Sequence, residues 1–260
     1  MYKRGGKGPT DGGSVGGNAA QSRTKGEDDV ATSAKEQYIN FAFYKVDSAW
    51  RRLPKEEREA SKKEFSAAVE EWCERMLLIP YSTVGLRPET DFMLWRIGDS
   101  LKLLQEMSRQ INATVLGAYL TAPYSFVAMA RRSIYVAKHL HPGQEGRRAT
   151  ITPGEHQYLF VYPFVKQRDW YLLPLDRRQE MMNVHIKVGH KFPSVKLNTT
   201  YSFGLDDQEF VVAFESDRPA DFVELIMALR ETEASRFTLR DTPIFTCIQK
   251  TIYETLDDLG

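Results

Sequence analysis

The chain has 260 residues, and its 35 basic and 35 acidic side chains give a formal net charge of zero. This balance gives no indication of wholesale attraction to nucleic acid or to an acidic membrane surface. Two cysteines, Cys73 and Cys247, are too few for a disulfide framework or a thiolate metal cluster. The sequence has no apolar run of membrane-spanning length and no signal-peptide core, so we expect a cytoplasmic protein without stable membrane insertion.

Residues 1–34 are rich in Gly, Ser, Thr and charge, and they nearly lack large apolar side chains. Such a segment buries too little surface to offset its chain entropy, so a disordered tail is predicted. A basic anchoring role for Lys3, Arg4 and Lys7 is the alternative.

In chain order, the next elements predicted are a strand at 37–45, a helix from 55 to about 75, strands at 82–84 and 92–96, and a helix from 99 to about 109. Asp99 is a suitable N-cap for the last of these. Residues 121–141 are predicted to form a connecting helix, and residues 142–153 a Gly/Pro-containing loop that is a candidate lid.

The remaining elements predicted are a strand at 157–165, a helix from 175 to about 191, strands at 196–203 and 210–214, a helix from 220 to about 230, and a strand at 242–247. The order β-α-β-β-α-β is that of a split ferredoxin-like unit. We therefore predict an α+β fold with a ferredoxin-like half at 35–120, a connection at 121–153 and a second half at 154–260.

The two halves are related in sequence, at an offset of about 120 residues. The shared positions are Gln37-Tyr38, Trp50 and Leu53-Pro54 in the first copy and Gln157-Tyr158, Trp170 and Leu173-Pro174 in the second. In the same register, the second copy has Tyr162, Lys166 and His185 at the positions where the first copy has Ala42, Val46 and Phe65. Since the first copy folds with apolar residues at these places, the second copy is expected to contain the functional residues.

His185 lies within the predicted helix 175–191, and Gly189 follows one turn later. Glycine inside a helix is unfavourable, but it clears space beside an imidazole one turn away, so that a flat, bulky group could approach. A histidine that ligates the iron of a porphyrin fits this arrangement. A packed or solvent-exposed histidine is the alternative.

Tyr162 and Lys166 fall near the end of the predicted strand 157–165, where Pro163 removes a ladder donor. A phenol and an ammonium group a few residues apart can face one anionic ligand. A solvated strand end is the alternative.

Other charged side chains are candidates to support such a site. Guanidinium groups bind carboxylates through two parallel hydrogen bonds, and the candidate clamps are Arg131, Arg132, Arg147, Arg148 and Arg230. Glu233 could accept the second ring N–H of a ligating histidine and raise its basicity. Arginines and glutamates in solvent are the ordinary alternative for each.

Several motifs are similar to those of the chlorite dismutase superfamily, and most closely to its coproheme decarboxylase branch. They are YPFVK at 162–166, WYLLP at 170–174, MMNVHIKVGHKFP at 181–193, YSFGLDDQEF at 201–210, the segment from Leu229 to Ser235, and TAPYSF at 121–126. The resemblance covers roughly residues 35–250 and is dense in the second copy. It implies a tandem ferredoxin-like barrel, usually assembled as a homopentamer.

The resemblance also implies a role for each matching residue. His185 matches the proximal iron ligand and Glu233 its hydrogen-bond partner, while Tyr162 matches the tyrosine whose radical takes hydrogen from a propionate. Lys166 matches the lysine that orients and polarises this propionate. The residues that resemble propionate-binding groups are Arg148, Arg230, Tyr124, Ser125 and Ser235.

The function implied is coproheme decarboxylation, in which hydrogen peroxide drives conversion of two propionates of iron-coproporphyrin III to vinyl groups and yields haem b. The porphyrin is then both substrate and redox centre. A haem-dependent chlorite dismutase or peroxidase and a non-enzymatic haem-binding protein are the alternatives.

Two positions depart from the family's patterns. The distal arginine of chlorite dismutases, or glutamine of one decarboxylase group, falls at Leu197 or Asn198. The distal histidine of another branch falls at Arg131. The group that activates peroxide therefore stays unassigned, with Lys166 or an ordered water as candidates.

Overall fold

Nine β-strands and seven α-helices lie in residues 36–135 and 150–260, the ranges that the computed structural model describes. The first half contains β1 (Tyr38–Val46), α1 (Ser48–Arg51), α2 (Lys55–Glu70), β2 (Leu77–Ser82), β3 (Phe92–Gly98), α3 (Leu101–Asn112) and β4 (Leu120–Met129). The second half contains β5 (Tyr158–Lys166), α4 (Arg168–Leu172), α5 (Leu175–Gly189), β6 (Lys196–Tyr201), β7 (Phe210–Ser216), α6 (Pro219–Arg230), β8 (Thr238–Arg240), β9 (Phe245–Gln249) and α7 (Ile252–Asp257). The tail predicted at 1–34 lies outside the described residues.

Each half has the strand order of a split ferredoxin-like unit. The first half is ordered β4-β1-β3-β2 and the second β9-β5-β7-β6. Since β2 also pairs with β9, and β4 with β6, the two four-stranded sheets join at both edges into one closed barrel. The predicted tandem ferredoxin-like α+β fold is therefore confirmed.

The helix predicted from residue 121 is wrong over its first part. Leu120–Met129 form β4, which pairs with β1 and supplies the fourth strand of the first unit. Side chains alternate here as they do in a strand, because Phe126 and Ala128 are buried in the barrel while Ser125 lies exposed on the other face. The first half thus extends to Met129 instead of ending at residue 120. Residues 136–149 of the predicted connection lie outside the described residues.

Two smaller element boundaries also differ from the prediction. Ser100, and not Asp99, caps α3, because its backbone is extended and its hydroxyl accepts a hydrogen bond from the Leu103 N–H. The strand predicted at 82–84 is β2, which begins at Leu77 and ends at Ser82. The chain turns soon after, at Gly85, whose φ of +77° favours glycine.

The two faces of the barrel wall bury different cores. The inner face fills the barrel with large aromatic and aliphatic side chains, among them Phe41, Phe43, Trp95 and Phe245. On the outer face, α2, α3 and α7 cover the first half, and α6 covers part of the second. No helix in the described ranges has the length and apolarity needed to cross a membrane.

Candidate active site

The three register positions that distinguish the two halves lie on equivalent elements, two on the first strand (β1 or β5) and one on the long helix that follows it (α2 or α5). In the first half Ala42 and Val46 on β1 and Phe65 on α2 are all buried in one apolar core. In the second half Tyr162 is buried on β5 beneath α6, while Lys166 and His185 are partly buried. The space between sheet and helices is therefore lined by apolar side chains at these positions in the first half and by polar side chains in the second.

Helix α5 is much less buried than its counterpart α2. Over 15 residues, α5 buries only Gln179 and Met181, whereas α2 buries the residues Ser61, Lys62, Phe65, Ser66, Ala68 and Val69. Val184 on α5 is 56% exposed, and a Cβ added at Gly189 would meet no heavy atom within 4 Å. The His185 side of α5 thus offers apolar surface and open space, which fits a flat porphyrin.

The hydrogen bond of the His185 imidazole leaves one nitrogen available for a metal. His185 Nδ1 lies 3.0 Å from the Thr232 hydroxyl, and that hydroxyl lies 2.7 Å from the Leu229 carbonyl oxygen. Because the hydroxyl has a single hydrogen, which it donates to Leu229, it accepts the Nδ1–H of His185. Nε2 is then the unprotonated nitrogen, the one that can ligate iron.

Burial, helped by the Lys166 charge, lowers the pKa of His185 to about 4. The imidazole is therefore neutral near pH 7, as an iron ligand must be. A neutral imidazole with an oriented ring is consistent with the role predicted for His185.

The structure does not place Glu233 at the imidazole. Its two carboxylate oxygens lie 2.8 and 3.0 Å from Arg177 Nη2, near the start of α5. The preceding residue, Thr232, takes the position at His185 instead. The role of Glu233 stays a prediction, and sequence reasoning did not name Thr232, whose hydroxyl in the turn after α6 was the available signal.

We expect Thr232→Val to weaken iron binding by about tenfold, because the imidazole loses the acceptor that orients it. Thr232→Ser keeps the hydroxyl and should restore wild-type behaviour. A porphyrin titration followed by absorbance, together with the iron reduction potential, measures the effect. Equal affinities and potentials in all three proteins would contradict a positioning role for Thr232.

Tyr162 is held rigidly in the layer between β5 and α6. Its ring stacks on Phe214 with the ring centroids 6.1 Å apart, and its side chain is 7% exposed. Burial and then the charge of Asp241 raise the pKa of the phenol, while Arg230 opposes them. Tyr162 therefore stays protonated at neutral pH, and its oxidation requires loss of a proton as well as an electron.

Lys166, at the end of β5, packs its ammonium group against Trp170 and Ala234. Its Nζ donates a hydrogen bond to the Ala234 carbonyl oxygen at 2.9 Å and lies 4.4 Å from the centroid of the Trp170 ring. Burial lowers the pKa of Lys166 to about 8, although Glu209 opposes the shift. Near neutral pH the amine is mostly protonated but readily gives up its proton, so it can both attract a carboxylate and transfer a proton.

An acidic residue anchors the end of the first strand in each half. Glu209 accepts the Lys166 backbone N–H at 2.8 Å, as Asp91 accepts that of Val46 at 2.9 Å. In the second half Glu209 also accepts the Tyr171 hydroxyl at 2.5 Å. Both halves thus have this acidic residue, but the residue whose N–H it accepts is Val46 in the first half and Lys166 in the second.

Arg230 lies at the end of α6 and pairs with Asp241. Strand β8 ends at Arg240 opposite Val165, and β9 begins opposite Val161, so residues 241–244 run beside Tyr162. Ser235 is less available than expected, because its hydroxyl lies 2.7 Å from the carbonyl oxygens of both Arg230 and Thr232.

The structure does not bring all the predicted propionate-binding residues to His185. Tyr124 packs against Phe43 and Phe245 on the inner face, opposite to that of Tyr162. Ser125 lies on the outer face, and its hydroxyl accepts a hydrogen bond from Asn40 in the first half. The clamps predicted at Arg147 and Arg148 lie outside the described residues, and Arg131 and Arg132 are exposed.

The register of β6 decides which of two candidate residues faces the site. Leu197 pairs with Phe214, which lies on the same outer face as Tyr162, and it is 51% exposed. Asn198 points the other way and donates a hydrogen bond to Glu215 Oε1 at 2.7 Å. Of the two candidates, the uncharged Leu197 is therefore the one on the face of Tyr162.

Comparison with known proteins gives consistent matches. The family model described as "Chlorite dismutase" matches residues 57–250. A coproheme decarboxylase from Mycolicibacterium smegmatis is 35% identical over 167 residues, which are 64% of this chain and 70% of the relative. A variant chlorite dismutase from Candidatus Nitrospira defluvii is 28% identical, with a TM-score of 0.77 over 85% of this chain and 94% of that chain. The imidazole complex of chlorite dismutase from the same organism is 27% identical, with a TM-score of 0.77 and the same coverage.

Proposed function

Because the chain belongs to the chlorite dismutase family, we propose that it is a coproheme decarboxylase. It would use hydrogen peroxide to convert two propionates of iron-coproporphyrin III to vinyl groups and so produce haem b. The relative from Mycolicibacterium smegmatis is named for this activity. The observation that supports it best is the placement of Tyr162, Lys166 and His185 where the first half has an apolar core.

His185 would hold the iron through Nε2, with Thr232 fixing the ring. When bound, the porphyrin iron supplies the one-electron oxidising power that peroxide provides. Tyr162 would give up its phenolic hydrogen and then take a hydrogen from the β-carbon of a propionate. Lys166 and Arg230 would hold the carboxylate beside it, since both are cationic and lie at the same end of β5.

The overall reaction balances without a further co-reactant. Conversion of one propionate to a vinyl group releases carbon dioxide, one proton and two electrons. Two electrons and two protons reduce one hydrogen peroxide to two water molecules, so the propionate supplies both electrons and one proton, and solvent supplies the second proton. About two peroxide molecules are therefore consumed for each haem b formed.

Leu197 argues against chlorite as the substrate. A negatively charged oxyanion bound at the distal face needs a cation or several hydrogen-bond donors, and a leucine side chain offers neither. We expect the coproheme-loaded and haem-loaded proteins to release no oxygen from chlorite at rates above those of free haem. An oxygen electrode measures this directly, and rapid oxygen release would favour a chlorite dismutase instead.

The assembly and location are part of the same proposal. Large apolar side chains lie exposed in the second half, among them Leu172, Val223, Met227 and Leu239. Surfaces of this kind support association with further copies, and a cytoplasmic homopentamer is the proposed state. Light scattering on the purified protein measures the assembly, and a monomer at micromolar concentration would contradict it.

The proposed reaction is tested by loading the purified protein with iron-coproporphyrin III, adding peroxide and separating the porphyrins. Haem b should accumulate, while a sample without peroxide should keep its substrate. Binding of coproheme without conversion would instead indicate a carrier.

A further inference from the structure

The Arg230–Asp241 ion pair lies beside the phenol that is proposed to react. Arg230 ends α6, and Asp241 directly follows β8, in the segment that runs along β5 at Tyr162. An Arg230 N–H donates to the Asp241 carboxylate. The side chain of Asp241 is 21% exposed and that of Arg230 is 55% exposed.

Both charges also act electrostatically on Tyr162. The Asp241 carboxylate raises the pKa of the phenol, and the Arg230 guanidinium lowers it. These directions agree with the strand register, which places residues 241–244 beside Tyr162 on β5. A carboxylate of the substrate that approached Tyr162 would meet Arg230 and Asp241 together.

We propose that Asp241 is a specificity-determining residue that competes with the substrate's reacting propionate for Arg230. This rests on the proposed function, because only then does a propionate lie at Tyr162. With no ligand carboxylate present, Asp241 holds Arg230. When a propionate binds, Arg230 leaves the Asp241 carboxylate and pairs with the carboxylate of the propionate.

The exchange has a physical consequence for substrate and product. A propionate gains a guanidinium partner but displaces an equivalent carboxylate and is repelled by it, so its net gain is small. Once the carboxyl group has left as carbon dioxide, the vinyl group accepts no hydrogen bond. Arg230 then returns to Asp241, and no guanidinium is left unpaired. Asp241 thus reduces the preference of the site for the carboxylated porphyrin over its decarboxylated product.

The test measures binding without peroxide, so that catalysis does not enter. Asp241→Asn should bind iron-coproporphyrin III about twofold to fivefold more tightly than wild type at low salt, because Arg230 is free for the propionate. Its affinity for haem b, which lacks the two reacting carboxyl groups, should be unchanged. If the amide variant does not fold, Asp241→Ser removes the same charge and has the same expected result.

A matched control is available at a second ion pair, near the start of α6. Asp221 is also 21% exposed and pairs with Arg218 near the opposite end of α6. Asp221→Asn removes an equivalent charge there and should leave both affinities unchanged. A wild-type or weaker affinity of Asp241→Asn for coproheme, or equal tightening for both porphyrins, would overturn the role of Asp241. Failure of the wild-type protein to bind coproheme would overturn the proposed function and this inference together.

Discussion

Tyr162→Phe is expected to stop decarboxylation while porphyrin binding stays close to that of wild type. The variant keeps the ring that stacks on Phe214 and loses only the hydroxyl. Without a phenolic hydrogen the side chain cannot take part in hydrogen transfer at neutral pH. Since a group that acts on the reacting hydrogen typically contributes a hundredfold or more, turnover should fall by at least about a hundredfold.

The measurement is haem b formation after peroxide addition, with coproheme affinity determined in parallel. Tyr158→Phe is a suitable control, because Tyr158 lies on the same strand and packs against the same core. It should keep wild-type turnover. Normal decarboxylation by Tyr162→Phe would rule out the proposed radical role.

His185→Ala is expected to remove the protein ligand from the iron. Loss of a direct ligand costs more than loss of its hydrogen-bond partner, so coproheme affinity should fall by about a hundredfold or more. The iron absorption spectrum should change even at saturating porphyrin, because a solvent molecule or no ligand replaces the imidazole. The protein itself should fold, since His185 lies at the open side of α5 and is not part of a tight core.

His190→Ala provides the control for His185→Ala. His190 caps the same helix and is exposed. His190→Ala also removes one histidine at the end of α5, but this histidine is not the proposed iron ligand, so the iron spectrum should stay that of wild type. An unchanged iron spectrum in His185→Ala, or an equal change in both variants, would contradict ligation by His185.

The sequence was sufficient to predict most of the fold and to single out the candidate residues of the site. Strands β1 and β5 each begin within one residue of the prediction, because long aromatic runs and the repeat fix them. The register between the copies singled out Tyr162, Lys166 and His185, and the structure buries Tyr162 in the outer layer of the second half and leaves Lys166 and His185 partly buried. In a repeat, the same backbone position occurs in two copies. A polar residue that only one copy has at such a position is therefore not needed by the shared fold and is a candidate for function.

What the sequence did not predict depends on pairing across the chain. Strand β4 forms because β1 and β6 lie on either side of it, and its own sequence does not reveal those partners. The hydrogen bond from His185 to Thr232, and not to Glu233, depends on where Arg177 lies. Asp241 reaches Arg230 only because β8 and β9 flank β5, a long-range arrangement.

The divergence of the two halves also explains how an open site is tolerated. The first half has a filled core, with Phe65 in edge contact with Phe92 and α7 covering the sheet. Such a core supplies the apolar burial that stabilises the barrel. The second half can then leave α5 loosely packed, with apolar side chains exposed where a ligand would cover them.

In the proposed reaction, His185 and Tyr162 act on one porphyrin, from which two propionates are decarboxylated. Mass spectrometry of the porphyrin during a peroxide titration of the coproheme-loaded protein tests this most directly. We expect successive loss of two carboxyl groups, complete at about two peroxide equivalents, with haem b as the final species. A porphyrin that keeps all four carboxyl groups while peroxide is consumed would contradict it.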